Sequence, residues 1–403
     1  MMDYTLFGES HGEAVGVLLK NVPAGMTVDH DFIAAELLRR APRDALTTSR
    51  HEEDEVEFLS GVFAGKTTGM PLVAIIRNRD GNSADYESLR NTPRPGHADY
   101  AVHIKGKGCR DYRGGGHFSG RLTAPLVVAG AIAKTCLQTC GVEVHAEIVN
   151  EEDLRRRADR AKAEGDSVGG QIRCTVAGLP AGLGGPAYDQ ALESEISRHV
   201  FAIPAVKAIG FGAGEAFAEM RGSEGNDGLR TDGKNIFMLT NNAGGINGGI
   251  SNGMPLTFTV TFRPTPSIAK EQQTVDLETM TNTTITVKGR HDACIVLRAA
   301  PVVEAAAALA LCQLIAPGGE DMDALRAQLD AVDIKIVESL GKRLELAKKI
   351  GGVKREQSLP IYDAEREEAV LRSRGDWLPE RRSETERLFR LLMELSREEQ
   401  EKQ

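Results

Sequence analysis

The apolar positions of the C-terminal segment repeat at three- and four-residue intervals, the spacing of one helix face. The repeat comprises Leu325, Leu329, Val332, Ile336, Leu340, Ala347 and Ile350. No proline interrupts residues 321–359, so the pattern predicts one helix of about 30 residues. Gly351 with Gly352 and Leu359 with Pro360 mark its fraying end. Shorter helices are predicted at 364–372 and 379–399. Three such helices cannot enclose a hydrophobic core of their own. The pattern therefore predicts that they pack against a second copy of the chain.

Residues 1–319 show a different pattern, in which short apolar runs alternate with amphipathic ones. Strand-like runs occupy 56–59, 72–76, 171–176 and 256–262, and helix-like runs occupy 31–40, 122–140 and 302–315. Residues 150–167 are densely charged, so a helix or an inserted loop on the surface is expected there. The pattern predicts an α+β domain with many short strands.

Charge and glycine content change sharply at residues 316–319, which read Ala-Pro-Gly-Gly. The segment that follows is rich in charged residues, whereas the preceding segment holds most of the 43 glycines. Pro-Gly-Gly ends an apolar helix and supplies a turn. The change predicts two domains, residues 1–317 and 318–403.

Overall composition excludes several classes of protein. The formal net charge of −9 and pI near 5.6 argue against nucleic-acid binding by bulk attraction to phosphate, although local arginines can still bind small anions. The apolar run 302–316 is too short to cross a bilayer and contains Glu304, and the N-terminus has no signal-peptide pattern. The six cysteines form no C-x-x-C pair, and packed thiols are favoured over a metal site at Cys136 and Cys140. The sequence thus predicts a cytoplasmic protein with no metal.

Four segments of the first domain concentrate glycine, histidine and arginine. They are 8–12 (GESHG), 94–99 (RPGHAD), 111–121 (DYRGGGHFSGR) and 289–294 (GRHDAC), with the glycine-rich stretch 241–251 upstream of the last. Taken singly, each is as compatible with a tight turn as with a site. The third enters a predicted helix near Leu122, which makes it a candidate anion site with Arg113 and Arg121. It lacks the motifs of a P-loop or of a dinucleotide site.

In this order the motifs resemble those of the chorismate synthase family, across nearly all of residues 3–316. The resemblance implies a β-α-β sandwich core and a trans-1,4 elimination of phosphate from 5-enolpyruvylshikimate 3-phosphate, which gives chorismate. It also implies reduced FMN as cofactor, although the reaction is redox neutral. Because the chain has no dinucleotide motif, an external reductant that draws indirectly on NADPH is expected to supply the reduced flavin.

The same resemblance assigns roles to individual residues. His11 and His97 are the expected proton donors, and Asp292 assists transfer of the substrate proton. The expected substrate-binding residues are Arg40, Arg94, Arg121 and Arg290. The expected flavin-binding residues are Ser119, Ala205, Gly248, Arg263, Ser267 and Arg290, together with His117 and Phe118, which stand where the family usually has arginine and serine. A second family arginine is replaced by Ala45, for which Arg43 or Arg50 is available to compensate.

The C-terminal segment carries chemistry of its own. Arg343 interrupts the apolar stripe one turn from Leu340 and Ala347, and a buried arginine needs an anionic partner. Lys354 follows eleven residues later, three helical turns on, so both cations are expected in one groove. Arg326 falls on a different face, from which it reaches the groove of a neighbouring copy. Two further sets share helix faces: Asp363 with Arg366 and Glu367, and Ser396 with Gln400.

These positions resemble those of the all-helical chorismate mutase family. The resemblance rests on L-R-x-x-x-D at 325–330, E-L-A-K-K at 345–349 and P-I-Y-D-x-x-R-E at 360–367. It implies the rearrangement of chorismate to prephenate without a cofactor. Lys354 and Gln400 are expected at the ether oxygen and Glu367 at the substrate hydroxyl. The remaining expected ligand contacts are Arg326, Arg343, Asp363, Arg366 and Ser396.

The two resemblances together predict a bifunctional enzyme that forms a dimer or tetramer and has no nucleic-acid or membrane partner. Two alternatives stay open at this point. In one, the C-terminal helices are a regulatory or dimerisation module without turnover. In the other, the chain is a general flavin-binding redox protein, which would require a hydride-donor site.

Overall fold

The chain divides into two compact units, Met1–Gly319 and Glu320–Gln403, each described here by itself. The structure is a computed structural model. It describes residues 2–42, 46–47, 54–79, 87, 89–186, 190–233, 236–287, 292–315, 322–377 and 379–401, with the backbone alone at 322–328 and 331.

Two four-stranded antiparallel sheets frame the first unit. The first sheet, in spatial order, contains β1 (Asp3–Gly8), β2 (Ala14–Lys20), β6 (Leu72–Arg77) and β3 (Val56–Ser60). The second contains β7 (Glu143–Ile148), β8 (Gly170–Ala177), β14 (Leu256–Phe262) and β9 (Val206–Phe211). Side chains along β14 alternate between buried and half-buried, which is the period-two pattern of a strand with one face in the core.

Two apolar helices lie between the sheets and form the centre of the core. They are α3 (Thr123–Gln138), which packs on the first sheet, and α7 (Ala300–Leu314), which packs on the second and on α3. Because neighbours surround both helices, they are apolar on all faces rather than on one stripe. The α+β domain that the pattern predicted and the β-α-β sandwich that the resemblance implied are thereby confirmed.

Helices α1 (His30–Arg40) and α5 (Leu192–Val200) pack on the outside of this pair. The Asp29 side chain accepts a hydrogen bond from the Phe32 backbone N–H and begins α1. A buried ion cluster fastens α1 to the core, because Glu304 of α7 pairs with Arg39 of α1 and with Lys134 of α3.

Short elements complete the unit. The two-stranded ribbons pair β4 (Val62–Phe63) with β5 (Lys66–Thr67), β10 (Leu229–Thr231) with β11 (Ile236–Met238), β12 (Ile246–Asn247) with β13 (Ile250–Ser251), and β15 (Gln272–Asp276) with β16 (Thr281–Ile285). The remaining helices are α2 (Asp99–Lys105), α4 (Glu151–Ala163) and α6 (Gly222–Gly225), with 3₁₀ turns at Arg113–Phe118, Gly120–Leu122, Gly214–Glu219 and Ile295–Arg298.

The second unit consists of α8 (Met322–Glu356), α9 (Ala364–Gly375) and α10 (Arg382–Glu401), with a 3₁₀ turn at Pro379–Arg381. Helix α10 packs on both α8 and α9. The long helix ends at Glu356, between Gly351-Gly352 and Leu359-Pro360, the two pairs that the sequence indicates for its fraying end. A Cβ at Gly351 would lie 3.1 Å from the Gln400 side chain, so this glycine permits close packing of two helices rather than termination of one.

One stretch of the described residues, Gly120–Gln138, has the length and hydropathy of a membrane span. In the fold, 83% of it is buried, because it contains α3. Core helices commonly share the composition of membrane spans, and the position of α3 between two sheets explains its apolar character. All six cysteines are free thiols.

Candidate functional site

A cavity of about 760 Å³ opens in the first unit, a size typical of small-molecule sites. It is lined by the segments that precede α2, α3, α7 and β9 and by those that follow α1 and β14. Segments far apart in sequence therefore converge on one space. The predicted site residues along its wall are Arg40, Arg94, His97, His117, Phe118, Ser119, Arg121, Ala205, Arg263, Ser267 and Asp292.

Other predicted residues lie elsewhere. The His11 ring packs against Gly114 of the cavity wall, with Cδ2 2.5 Å from the position of a Cβ on that glycine. Gly248 is not in the lining. It connects β12 and β13, and its hairpin bonds to Gly184 and lies near the Leu256 end of β14, whereas Arg263 follows the opposite end. Arg290, with Ala45, Arg43 and Arg50, lies outside the described residues.

The glycine-rich loop gives both histidines room. Gly114, Gly115 and Gly116 have φ values of 58°, 85° and 55°, a region that residues with a Cβ rarely adopt. A Cβ on Gly115 would lie 2.9 Å from His97 Cε1. The predicted contribution of Arg113 to an anion site is not seen, because Arg113 forms a 2.8 Å ion pair with Asp111 and is not in the cavity lining.

Two buried arginines share one carboxylate on the cavity wall. Arg40 Nη1 lies 3.0 Å from Asp54 Oδ2, and Arg121 Nη1 binds the other oxygen of Asp54. Thr123 Oγ1 accepts a 2.9 Å bond from Arg40 Nε, which aims the guanidinium. Burial lowers the pKa of Arg40 to about 10, with Asp54 acting in the opposite direction. An anionic ligand here must share these arginines with Asp54 or displace it.

A second cationic group lies before α2. Arg94 is buried and makes a two-pronged contact with Asp99, at 2.8 Å from Nε and 3.0 Å from Nη2. Its Nη1 donates to Ser267 Oγ at 3.1 Å. His97 lies against the same carboxylate. On another part of the wall, Arg298 holds Asp292 through contacts of 3.1 and 2.7 Å.

In the second unit, one face of α8 carries Arg343, Ala347, Gly351 and Lys354 at helical spacing. Arg343 is half-buried with its guanidinium 6.0 Å from the Phe389 ring centroid, and its buried Nε has no hydrogen-bond partner among the described residues. Lys354 Nζ donates to the Ile361 carbonyl at 2.6 Å. Arg343 thus lies near a residue of α10, whereas Lys354 bonds to the segment between α8 and α9. That both cations share one groove stays a prediction.

Helix α10 contributes two buried polar side chains. Ser396 Oγ donates to the Leu392 carbonyl at 2.6 Å, and Gln400 Nε2 donates to the Ser396 carbonyl at 3.1 Å. Gln400 is 8% exposed, and its Oε1 is buried with no hydrogen-bond partner in the described part of the chain. An unsatisfied buried carbonyl oxygen is costly, and a catalytic role is one of the recognised explanations for it.

The residues around α9 are less enclosed. Asp363 caps α9 by accepting the Arg366 backbone N–H at 3.0 Å, and both side chains are exposed. Glu367 is half-buried and contacts Arg397 at 2.9 and 3.0 Å. The side chain of Arg326 lies outside the described residues.

Sequence reasoning missed several charged residues of these sites. Asp54 lies in an acidic stretch that resembles a solvated surface, and Arg298 is one of many basic residues. Asp99 stood within the quoted RPGHAD motif, and its two-residue spacing from His97 was an available signal. Arg397 could have been found from its place one residue after Ser396 on an otherwise acidic stretch.

Two family models together cover most of the chain. Residues 2–154 and 149–316 match the model described as chorismate synthase, and residues 325–401 match chorismate mutase type II.

Several known chorismate synthases are similar to most of this chain. Chorismate synthase of Thermococcus gammatolerans is 46% identical over 338 residues, which cover 77% of this chain and 95% of that protein. The chorismate synthase of Chitinophaga pinensis is 48% identical over 314 residues, covering 77% and 93%. A crystal structure of chorismate synthase superposes with a TM-score of 0.61 at 26% identity, covering 82% of this chain and 96% of that one.

Proposed function

The chain belongs to the chorismate synthase family and also carries a chorismate mutase type II domain. We propose that both of its sites are catalytically active. The first unit eliminates phosphate from 5-enolpyruvylshikimate 3-phosphate, and the second rearranges the chorismate to prephenate. The main support for the elimination activity is the cavity whose wall contains Arg40, Arg94, Arg121 and His97. A phosphate and two carboxylates are the ligand charges that such a wall accommodates.

The arginines bind and orient the substrate. Arg40 and Arg121 are fixed by Asp54, Thr123 and Asn78, and Arg94 by Asp99. Because these guanidinium groups are already in place, little reorganisation accompanies the growth of negative charge on the departing phosphate. Fixed orientation also lowers the entropy cost of reaching the reactive geometry.

Proton transfer falls to the two histidines and Asp292. In the elimination the C–O bond to phosphate breaks and a ring C–H bond on the opposite side loses its proton. The resemblance gives His11 and His97 as proton donors, one toward the departing phosphate and the other toward the flavin, a role that histidine fills readily near neutral pH. Asp292, oriented by Arg298, assists removal of the ring proton.

The cavity residues fit reduced FMN. Ala205 has φ of 74° and accepts the Arg263 backbone N–H at 2.9 Å, and such strained backbone positions cluster at ligand sites. His117 Nδ1 donates to the Gly8 carbonyl at 3.0 Å, which fixes its ring beside Ser119. Arg263, His117 and Ser119 would hold the flavin phosphate, with Phe118 and Ser267 nearby. When bound, reduced FMN supplies electron density to the allylic carbon from which phosphate departs.

The helical unit needs only to hold chorismate in its reactive conformer. Arg343 and Arg366 bind carboxylates, and Lys354 exchanges its bond to the Ile361 carbonyl for one to the ether oxygen, where negative charge develops. Gln400 lies beside that oxygen, with Ser396 one turn earlier on α10. Glu367 turns from Arg397 to the substrate hydroxyl, and Asp363 holds the start of α9.

A second copy completes the helical unit. Val332, Ile336 and Ile350 of α8 are all more than half exposed, so a large apolar face has no cover within the described chain. Pairing with another α8 covers this face and lets Arg326 reach the partner's groove. The free thiols and the soluble metabolic substrates fit a cytoplasmic enzyme that forms homo-oligomers.

An anaerobic assay of the full chain with 5-enolpyruvylshikimate 3-phosphate and reduced FMN tests the proposal. We expect release of phosphate and formation of prephenate. In Arg343→Ala, phosphate release should continue at the original rate while chorismate accumulates. Lys342→Ala serves as the control, because that lysine is an exposed cation next to Arg343 on the same helix.

Two outcomes would contradict the proposal. Absence of phosphate release would remove the first activity. If Arg343→Ala left conversion of supplied chorismate unchanged, the helices would be a regulatory or dimerisation module rather than a catalytic one.

A further inference from the structure

Asp99, the first residue of α2, lies behind the elimination cavity and contacts two of its wall residues. It is 3% exposed and is not itself in the cavity lining. We propose that Asp99 is the positioning residue of this site, whose single carboxylate fixes both the tautomer of His97 and the orientation of Arg94. This inference rests on the proposed function of His97 as proton donor, but its first test below does not.

The contact with His97 determines which ring nitrogen carries a proton. His97 Nδ1 lies 2.7 Å from Asp99 Oδ1. Burial acts to raise the pKa of Asp99, but the hydrogen bonds from His97 and Arg94 hold it well below its ordinary value. An ionised carboxylate only accepts hydrogen bonds, so Nδ1 carries the hydrogen. Arg94 Nη2, 3.0 and 3.3 Å from the two ring nitrogens, then packs against the ring instead of donating to Nδ1.

The other ring nitrogen is left for the substrate side. A Cβ on Gly115 would lie 3.1 Å from His97 Nε2, so only a glycine at this position leaves that nitrogen accessible. Once the ring is protonated, Nε2–H is the group that can donate a proton into the cavity that His97 lines. Asp99 stabilises the imidazolium from behind, as the orienting member of a nucleophile–base pair does in other enzymes.

Arg94 is oriented by the same carboxylate. Its Nε and Nη2 contact the two oxygens of Asp99, and the Arg94 backbone N–H donates to Oδ2 at 3.1 Å. Arg110 Nη1 lies 3.5 Å from Oδ1 and is anchored by the Leu89 and Arg90 carbonyls. One carboxylate thus faces two guanidinium groups, and the cluster keeps a net positive charge that attracts an anion even while His97 is neutral.

The first test reads the His97 tautomer directly. The full chain with ¹⁵N-labelled histidine gives long-range ¹H–¹⁵N correlations, and His97→Gln assigns the relevant signals. We expect the neutral ring to carry its hydrogen on Nδ1 in the native protein, and the Nε2–H form to appear in Asp99→Asn. A native His97 that carries its hydrogen on Nε2 would overturn the proposal, whatever the enzyme's activity.

The second test measures coupling in the elimination. Asp99→Asn should lower kcat by roughly 10²-fold, the lower end of what a positioned proton donor contributes, with a smaller rise in KM from the loosened Arg94. The kcat effect should vanish in the His97→Gln background, since the two residues act through one another. Additive effects would overturn the positioning role, whereas full activity of His97→Gln alone would refute only the proposed donor.

Glu57→Gln is the matched control, because Glu57 also holds an arginine through two contacts, at 2.7 and 3.2 Å from Arg77, but lies outside the cavity. It should leave kcat, KM and the His97 signals unchanged. A similar loss in this variant would mean that removing any arginine–carboxylate pair disturbs the fold.

Discussion

The cations of the two units are neutralised in different ways. In the first unit, Arg40 and Arg121 share Asp54, and Arg94 is paired with Asp99. In the second, the Lys354 ammonium binds a backbone carbonyl and Arg343 lies near an aromatic ring. Among the described residues, neither of these two cations has a carboxylate within ion-pair distance.

The difference reflects how each unit is built. The first unit has a full core between two sheets, in which buried charges need partners to be tolerated. In the second unit the described apolar residues that are buried are Ala347 and Met393. Arg343 and Lys354 are therefore only half-buried, and they are tolerated without an internal counter-charge. Under the proposed function, substrate would therefore exchange with a resident carboxylate in the first site and supply the missing negative charge in the second.

The largest expected effect comes from the buried ion cluster of the first unit. Glu304→Ala leaves Glu36 as the one described carboxylate that still pairs with Arg39 and Lys134, so one positive charge of the cluster is uncompensated. The variant should lower the free energy of unfolding of that unit by about 3–5 kcal/mol. Urea denaturation followed by circular dichroism measures this loss. The single tryptophan, Trp377, reports the helical unit by fluorescence, and its transition should not move.

Glu147→Ala is the control for this prediction, because Glu147 is exposed on β7. It should change stability by less than about 0.5 kcal/mol. Equal losses in the two variants would mean that the buried cluster contributes nothing specific.

The second prediction concerns Lys354 of the helical unit, whose ammonium has no carboxylate within ion-pair distance among the described residues. Lys354→Met keeps the aliphatic length and removes the charge, so kcat for conversion of supplied chorismate should fall by about 10²–10³-fold. Phosphate release by the first unit should be unaffected. A variant that retains most of its mutase activity would show that the ether oxygen is stabilised elsewhere.

The third prediction addresses the missing core of the helical unit. Ile336 is 56% exposed, and burial of its exposed part in a dimer stabilises the dimer by about 1–2 kcal/mol. Ile336→Glu should therefore weaken self-association of this unit by at least about tenfold. Specific mutase activity, measured over a dilution series, should fall at a higher protein concentration than in the native chain.

Phosphate release in the same samples is the internal control, because the cavity proposed to release phosphate is lined by residues of the first unit. Dilution curves that coincide for the native and Ile336→Glu proteins would contradict pairing through this face of α8.

The smallest expected effect tests whether an anion exchanges with Asp54 in the cavity of the first unit. Asp54→Asn removes the charge that competes for Arg40 and Arg121, so inorganic phosphate should bind about tenfold more tightly, by about 1.4 kcal/mol. Isothermal titration of the full chain measures the change. Glu55→Gln, an exposed neighbour paired with Arg79 at 3.0 Å, should bind phosphate like the native chain. Weaker binding in Asp54→Asn would show that Asp54 orients the arginines more than it competes.

Most of the architecture was accessible from the sequence because local patterns encode it. The predicted strand 256–262 coincides with β14, the predicted helix 122–140 contains α3, and the charged stretch 150–167 contains α4. The end of α8 at Glu356 falls within the predicted fraying end, but the sequence could not place it more closely. Glycine can either end a helix or allow close packing, and only the neighbouring helix decides between the two. The predicted helix 379–399 begins instead with a 3₁₀ turn, and α10 starts at Arg382.

Of the candidate sites, sequence alone determined the chemistry, that is, which arginines, histidines and amides are present, and at what helical spacing Arg343 and Lys354 fall on α8. The tertiary structure decided which of these groups meet. It placed Asp54 between Arg40 and Arg121, separated Gly248 from the cavity of its own chain, and turned Arg113 to Asp111. The physical reason is that side-chain pairing across distant segments depends on how the two sheets and the central helices pack, and no local periodicity records that packing.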